Sequence, residues 1–330
     1  MVNDRHAYWR ARPVLVTGAT GLVGSHIVAA LLASGAEVAV LLRDHDRRSE
    51  LFRSGDIGRV GVTEGELESL ADVERAVAES GASVVFHLGA QTLVGVGLNA
   101  PLLTLESNVR GTYNVLEACR RQSQTVERVV VASSDKAYGQ SDHAYIEDDP
   151  LRASSPYDVS KAAGDLIAQS YHATYGLRVG IVRCGNIYGG GDLNWSRIVP
   201  GTIRSFLKHE APEIRSDGTY VRDYIYVDDV VDAYLDIAEA LDRPNVAGEA
   251  FNFASGAQVS VLDMVKTIAK LMGGQLPEPR VLNTAKNEIK EQRLSTDKAK
   301  RVLGWQPRVS LDDGLRSTIE WYRAYLGAKA

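Results

Sequence analysis

Short apolar runs rich in Val and Leu alternate with amphipathic stretches of helical length through the first half of the chain. Residues 14–17, 38–42, 59–62, 84–87, 128–133 and 178–183 predict strands, and 22–34, 70–80, 104–122 and 157–175 predict the helices between them. Strands that are apolar on both faces and alternate with helices imply a parallel sheet covered on both sides, joined by right-handed crossovers. That is a doubly wound α/β architecture. After Tyr188 the rhythm breaks. GGGDLNW (189–195) predicts a loop, 196–208 a helix, 211–223 irregular chain, 228–242 a helix, and 249–253 a strand returning to the first sheet. Beyond 257 helical segments dominate (260–271, 296–303, 311–326), separated by Gly273-Gly274, Pro277, Pro279 and Pro307.

Composition narrows the classes without choosing a chemistry. The chain has 330 residues, room for one large or two smaller domains. Its 45% hydrophobic and 24% charged content is ordinary globular usage, which argues against a disordered or fibrous chain. A net charge of −5 provides no broad basic field, so no nucleic-acid partner is expected and an anionic ligand must be met by a few placed cations. Cys119 and Cys184 have no metal-ligand spacing, and no metal is expected. With no apolar run near the roughly 20 residues that span a bilayer, a cytoplasmic protein without membrane partners is expected.

Chemistry enters at the first strand–helix junction. Gly18, Gly21 and Gly24 lie in TGATGLVG (17–24), the spacing that lets backbone approach a pyrophosphate at a helix N-terminus. Thr20, Leu22 and Val23 complete that loop. An acidic residue at the end of the second strand would hold a ribose 2′-OH, and an arginine would accept a 2′-phosphate. Arg43 favours NADP over NAD, while Asp44 could still reach a hydroxyl. Tyr157 and Lys161 form Y-x-x-x-K on one helix face, where an ammonium would lower the tyrosine's pKa and make it a usable base. Ser134, Asp135 and Lys136 follow the fifth strand, at the carboxyl end of the sheet where open α/β folds bind ligands. They supply a donor, a carboxyl and a cation, or, in the plainer reading, an Asp–Lys pair in a polar loop.

With HLGAQ (87–91), NVRGTYNVLEA (108–118), SSDKAYG (133–139), YDVSK (157–161), RCGNIYGGGD (183–192), VRDYIYVDDV (221–230) and STDKAKRVLGWQP (295–307), the chain resembles an extended short-chain dehydrogenase/reductase. It is most similar to the nucleotide-sugar 4,6-dehydratases, in particular the CDP-glucose and GDP-mannose branches. The alternative is a nucleotide-sugar epimerase using the same tyrosine and lysine. Most dehydratases carry Thr-Asp-Glu where this chain has Ser134-Asp135-Lys136, so Asp135 favours dehydration and Lys136 leaves the C5 base open.

The resemblance implies a Rossmann-type doubly wound sheet over 1–188, rejoined near 225–253. It also implies a smaller, mostly helical nucleotide-sugar lobe from 189–224 and 254–330. The cofactor, NADP or NAD, would meet Gly18, Thr20, Gly21, Leu22, Val23, Gly24, Arg43, Glu66, Leu67, Leu88, Gly89, Ala90, Asn108, Ser133, Tyr157 and Lys161. The nucleotide-diphosphate hexose would meet Gln91, Ser134, Asn186, Asn194, Arg197 and Arg222. By similarity, Tyr157 takes the 4-OH proton, Lys161 holds the ribose, Ser134 polarises the oxygen, and Asp135, its pKa raised by burial, protonates the departing C6 hydroxyl. Lys136, held neutral, is a candidate for the C5 base. His87 and Tyr138 read as structural, and Trp305, Trp321, Tyr322 and Tyr325 as core of the second lobe. The 104–122 and Tyr157 helices would pair with their copies in a homodimer through positions such as Val109, Thr112, Val115 and Leu116, which burial within one chain would equally explain.

Overall fold

The apolar runs close into one seven-stranded parallel sheet in the computed structural model, which describes residues 5–284 and 289–327. Its strands are β1 (Pro13–Thr17), β2 (Glu37–Leu42), β3 (Gly61–Glu64), β4 (Val84–His87), β5 (Arg128–Ala132) and β6 (Val179–Cys184), joined at the edge by β10 (Ala250–Phe253). The order β10-β6-β5-β4-β1-β2-β3 reverses direction between β1 and β4. Ligands of open α/β sheets bind at that switch point, outside the carboxyl ends of the strands. Alternate residues feed two cores. Val14, Val16, Val84, Phe86 and Phe251 pack on one face beneath helices Leu22–Ala33 and Val227–Ala240. Leu15, Val85, Val129, Val131 and Ile181 pack on the other beneath Leu70–Ser80, Gly111–Arg121 and Pro156–Tyr175.

Between β6 and β10, and again after β10, the chain leaves this sheet and builds a second layer. β7 (Asn186–Tyr188), β9 (Val221–Tyr226) and β11 (Gln258–Ser260) form a three-stranded sheet, and β8 (Glu213–Ile214) pairs with β12 (Arg280–Val281). A separate core of Tyr188, Ile203, Phe206, Tyr224, Met264, Ile268, Ile319 and Tyr322 lies under helices Ile198–Leu207, Val261–Met272 and Leu311–Leu326.

Several expectations need correction. Residues 211–223 are not irregular: β8 lies within them and β9 begins there, formed by long-range pairing that local pattern does not encode. The 104–122 helix is three pieces, Pro101–Leu105, a π-turn at Glu106–Arg110, and Gly111–Arg121. The third strand starts at Gly61, because Asp56–Arg59 closes a 3₁₀ turn. Trp305 packs edge-on against Phe253 of the main core, not in the second lobe, and donates to Asp229 O at 3.1 Å. Thr112, Val115 and Leu116 are buried within their own chain. Among the described residues no helix is long and apolar enough to cross a membrane.

Candidate active site

Three strand ends meet at the switch point. At β1, Gly18 has φ +74°, and a Cβ there would lie 2.6 Å from Gly89 N, so the loop after β4 is pressed against it. A Cβ on Gly24 would lie 2.2 Å from Gly18 O. These glycines make room for backbone, and Gly21 caps the helix with no side chain over its free N–H groups. Leu67 roofs Gly89, whose own Cβ would meet the leucine Cδ1 at 2.6 Å. At the end of β5 the Ser133 hydroxyl is buried without a partner. An open cradle at a helix N-terminus and an orphaned hydroxyl at a nearby strand end fit a dinucleotide, with Thr20, Leu88 and Ala90 on the same two loops and Leu22 and Val23 opening the helix.

The strand ends are locked together by His87. Thr112 Oγ1 donates to Asn108 O at 2.6 Å, so it accepts from His87 Nε2 at 3.1 Å. His87 Nδ1 therefore accepts from Thr17 Oγ1 at 2.8 Å, and Thr17 accepts from Gly89 N–H at 3.1 Å. Burial, with help from the Lys161 charge, lowers the histidine pKa to about 3, so His87 is a neutral brace rather than an acid or base. Nothing in the spacing of Thr17, His87 and Thr112 announced this relay. Asn108, in the π-turn, donates to Gln91 O (3.0 Å) and Ser160 Oγ (2.8 Å) and accepts from Gln91 N (2.7 Å). It fastens the β4 loop to the Tyr157 helix, and π-turns of this kind recur at functional sites. The Gln91 side chain folds back on Leu93.

The catalytic candidates come together. Ser134 caps the short turn Asp135–Tyr138, donates to Asp135 Oδ1 at 3.0 Å and hydrogen-bonds the Tyr157 side chain. Asp135 is only 2% exposed. The same Oδ1 accepts from Lys136 Nζ at 3.3 Å, and Lys136 also donates to Asn186 Oδ1 at 3.3 Å. Asp135 and Lys136 thus do pair, and the pair stands in the site itself. Lys161 Nζ donates to Ala132 O at 2.9 Å, and burial lowers its pKa to about 8 against the favourable charge of Asp165. Burial pushes Tyr157 up to about 12. The strongest opposing charge is Arg197, not Lys161 as the Y-x-x-x-K spacing suggests.

The remaining candidates divide. Arg197 leads the helix Ile198–Leu207 and pairs with Asp192 at 3.1 Å while acting on Tyr157. Arg222 is buried on β9, its Nη1 donating to Val221 O (2.9 Å) and Lys290 O (3.1 Å). Asn194 Oδ1 accepts from Ser196, closing a local turn. Arg43, 61% exposed at its side chain, lies on Asp44 at 2.7 Å, and the charges of Glu66 and Glu68 act on it. Asp223 was missed. It is buried beside the Ser255 and Gly256 amides and pushed up to about 6 by burial and, less, by Asp135. Among the described residues no group of three or more His, Cys, Asp or Glu could hold a metal ion.

A model of the NAD dependent epimerase/dehydratase family matches residues 14–254. A dTDP-glucose 4,6-dehydratase of Streptomyces griseus is 30% identical over 319 residues, 94% of either chain. A UDP-glucose 4-epimerase of Mycolicibacterium smegmatis is 32% identical over 314 residues, 94% of this chain and 98% of the relative. Among solved structures, a double mutant of the dTDP-glucose 4,6-dehydratase DesIV from Streptomyces venezuelae, with NAD and DAU bound, matches at TM-score 0.87 and 29% identity, covering 95% of this chain and 98% of its own. With its Rossmann-type sheet and its glycine cradle, the chain belongs to the NAD dependent epimerase/dehydratase family.

Proposed function

We propose that this protein is a nucleotide-sugar 4,6-dehydratase that forms an NDP-4-keto-6-deoxyhexose. The observation that carries the reading is the buried Asp135 carboxylate, held by Ser134 and Lys136 beside Tyr157 at the carboxyl end of β5. Held in the cradle of Gly18, Gly21 and Gly24, the dinucleotide would supply the hydride acceptor for C4 and the hydride donor for C6. Tyr157 takes the 4-OH proton as the phenolate, which the Arg197 charge favours against the burial that otherwise keeps it protonated, and Ser134 hydrogen-bonds the oxygen. The resulting ketone makes the C5 proton acidic. The 3.3 Å contact lets one proton pass from the Lys136 ammonium to Asp135, leaving an amine and a carboxylic acid. Lys136 then removes the C5 proton and Asp135 protonates the leaving 6-OH, releasing one water; Lys136 returns its proton to C5 in the reduced product, and the proton held by Tyr157 passes through Ser134 to Asp135, which resets all three groups. An epimerase needs no such acid–base pair, which is why the pair favours dehydration over the epimerase alternative.

Asp135→Asn separates these roles. The variant is expected to accumulate reduced cofactor on mixing with substrate, because 4-oxidation survives, while water loss falls at least ~100-fold, the usual scale for general acid catalysis. Full dehydratase turnover by the variant would remove Asp135 from the mechanism. For the cofactor we infer NAD in place of the NADP that Arg43 alone suggests, since Asp44, Glu66 and Glu68 oppose a 2′-phosphate there. For assembly we infer a homodimer through the outer faces of the Pro101–Leu105, Gly111–Arg121 and Pro156–Tyr175 helices, where Leu102 is 70% and Leu166 is 55% exposed.

A further inference from the structure

Behind the catalytic turn lies a buried polar chain for which the steps above have no use. Asp165 stands four residues after Lys161 on the same helix, and its carboxylate takes both Nε (2.8 Å) and Nη2 (2.9 Å) of Arg183 on β6. Side-chain exposure of the pair is 0% and 3%. Arg183 Nη1 donates to the Tyr138 hydroxyl at 2.7 Å, and that hydroxyl donates to Asn252 Oδ1 at 2.7 Å. Arg183 and Asn252 face each other in the β6–β10 register. Tyr138 ends the turn that begins at Asp135, and its ring stacks on Tyr145 at 4.7 Å with 7° between planes.

A buried ion pair of this kind adds little stability over well-packed apolar residues of the same volume. What a guanidinium supplies instead is fixed geometry, because its planar fork holds a carboxylate and a further acceptor at once. Here the fork joins the helix that carries Tyr157 and Lys161 to the turn that carries Asp135 and Lys136. Resting on the dehydratase reading, we propose that Arg183 is a positioning residue for the reaction: through Asp165 and Tyr138 it fixes the Asp135–Lys136 turn against the Tyr157–Lys161 helix.

Arg183→Lys keeps the charge and loses the fork, and Tyr138→Phe keeps the ring and loses only the hydroxyl link. In the dinucleotide-bound protein, hydrogen–deuterium exchange should accelerate at least ~10-fold across 135–139 in either variant, with the Val261–Met272 helix unchanged. For water loss from the nucleotide sugar, kcat should fall at least ~10-fold while KM stays within about threefold. The double variant should lose no more than Arg183→Lys alone, because both changes cut one link. Unchanged exchange at 135–139 would overturn the proposal, and so would accelerated exchange with unchanged kcat. Exchange is read without turnover, so accelerated exchange in a protein that dehydrates no nucleotide sugar would count against the function and leave the positioning role supported.

Discussion

Lys161 is the residue whose environment makes the firmest claim about pH. An unfolded lysine holds its proton to about 10.4, whereas burial makes Lys161 release it near about 8 in the fold. Between those values the unfolded chain binds more protons, so stability rises with pH through this window and the full cost of the buried ammonium is present below it. In the dinucleotide-free protein, Lys161→Met should flatten that rise between about pH 8 and about pH 9.5, read from denaturation midpoints. An unchanged slope would assign it to other groups. That Tyr157, Lys161, Ser134, Asp135 and Lys136 belong to one candidate site was legible from residue type, spacing and position at a strand end. Their long-range partners were not: Arg197 acts on Tyr157 only through the fold of the second layer, and the Thr112–His87 bond behind them spans 25 residues.

At the scale of elements, the pattern located units that form from their own periodicity. The 70–80 helix and the 84–87 strand have the expected bounds, the helix fixed by a Ser69 cap accepting from Asp72 N and by Gly81 in the left-handed region. Pattern failed where tertiary bonds decide: a π-turn at Glu106–Arg110, where Asn108 bonds to Gln91 and Ser160, interrupts the helix, and β9 exists by pairing with β7 and β11. The glycine loop is the element on which cofactor binding rests. Gly18→Ala strains a φ of +74° and drives a Cβ to within 2.6 Å of backbone that cannot yield. The change should cost about 1–3 kcal/mol of stability. Calorimetric titration should show dinucleotide affinity down at least ~10-fold in the variant, and NAD bound more tightly than NADP by the parent chain. Equal affinities for parent and variant would remove Gly18 from the cradle.

Across the whole molecule, the glycine cradle, the Ser134-Asp135-Lys136 turn and the arginines we propose for the substrate come from three separate stretches of chain. The second layer brings Asn186 to Lys136 and Arg197 within electrostatic reach of Tyr157, whereas Arg222 Nη1 donates to the Val221 and Lys290 carbonyls. Asn186 and Arg197 are the placed groups with which we propose that an acidic protein meets a diphosphate. The outer helix faces carry the exposed Leu102 and Leu166, and a Leu102→Glu, Leu166→Glu variant should sediment as a monomer where the parent sediments as a dimer. A monomeric parent would contradict the assembly. The central claim is tested most directly by product mass. Purified protein is incubated with CDP-, GDP-, UDP- and dTDP-hexoses and no added dinucleotide beyond a catalytic amount, and the products are weighed by mass spectrometry. The account predicts loss of one water from at least one substrate without net consumption of cofactor. A product of unchanged mass with altered chromatography, or a requirement for stoichiometric reduced dinucleotide, would contradict it.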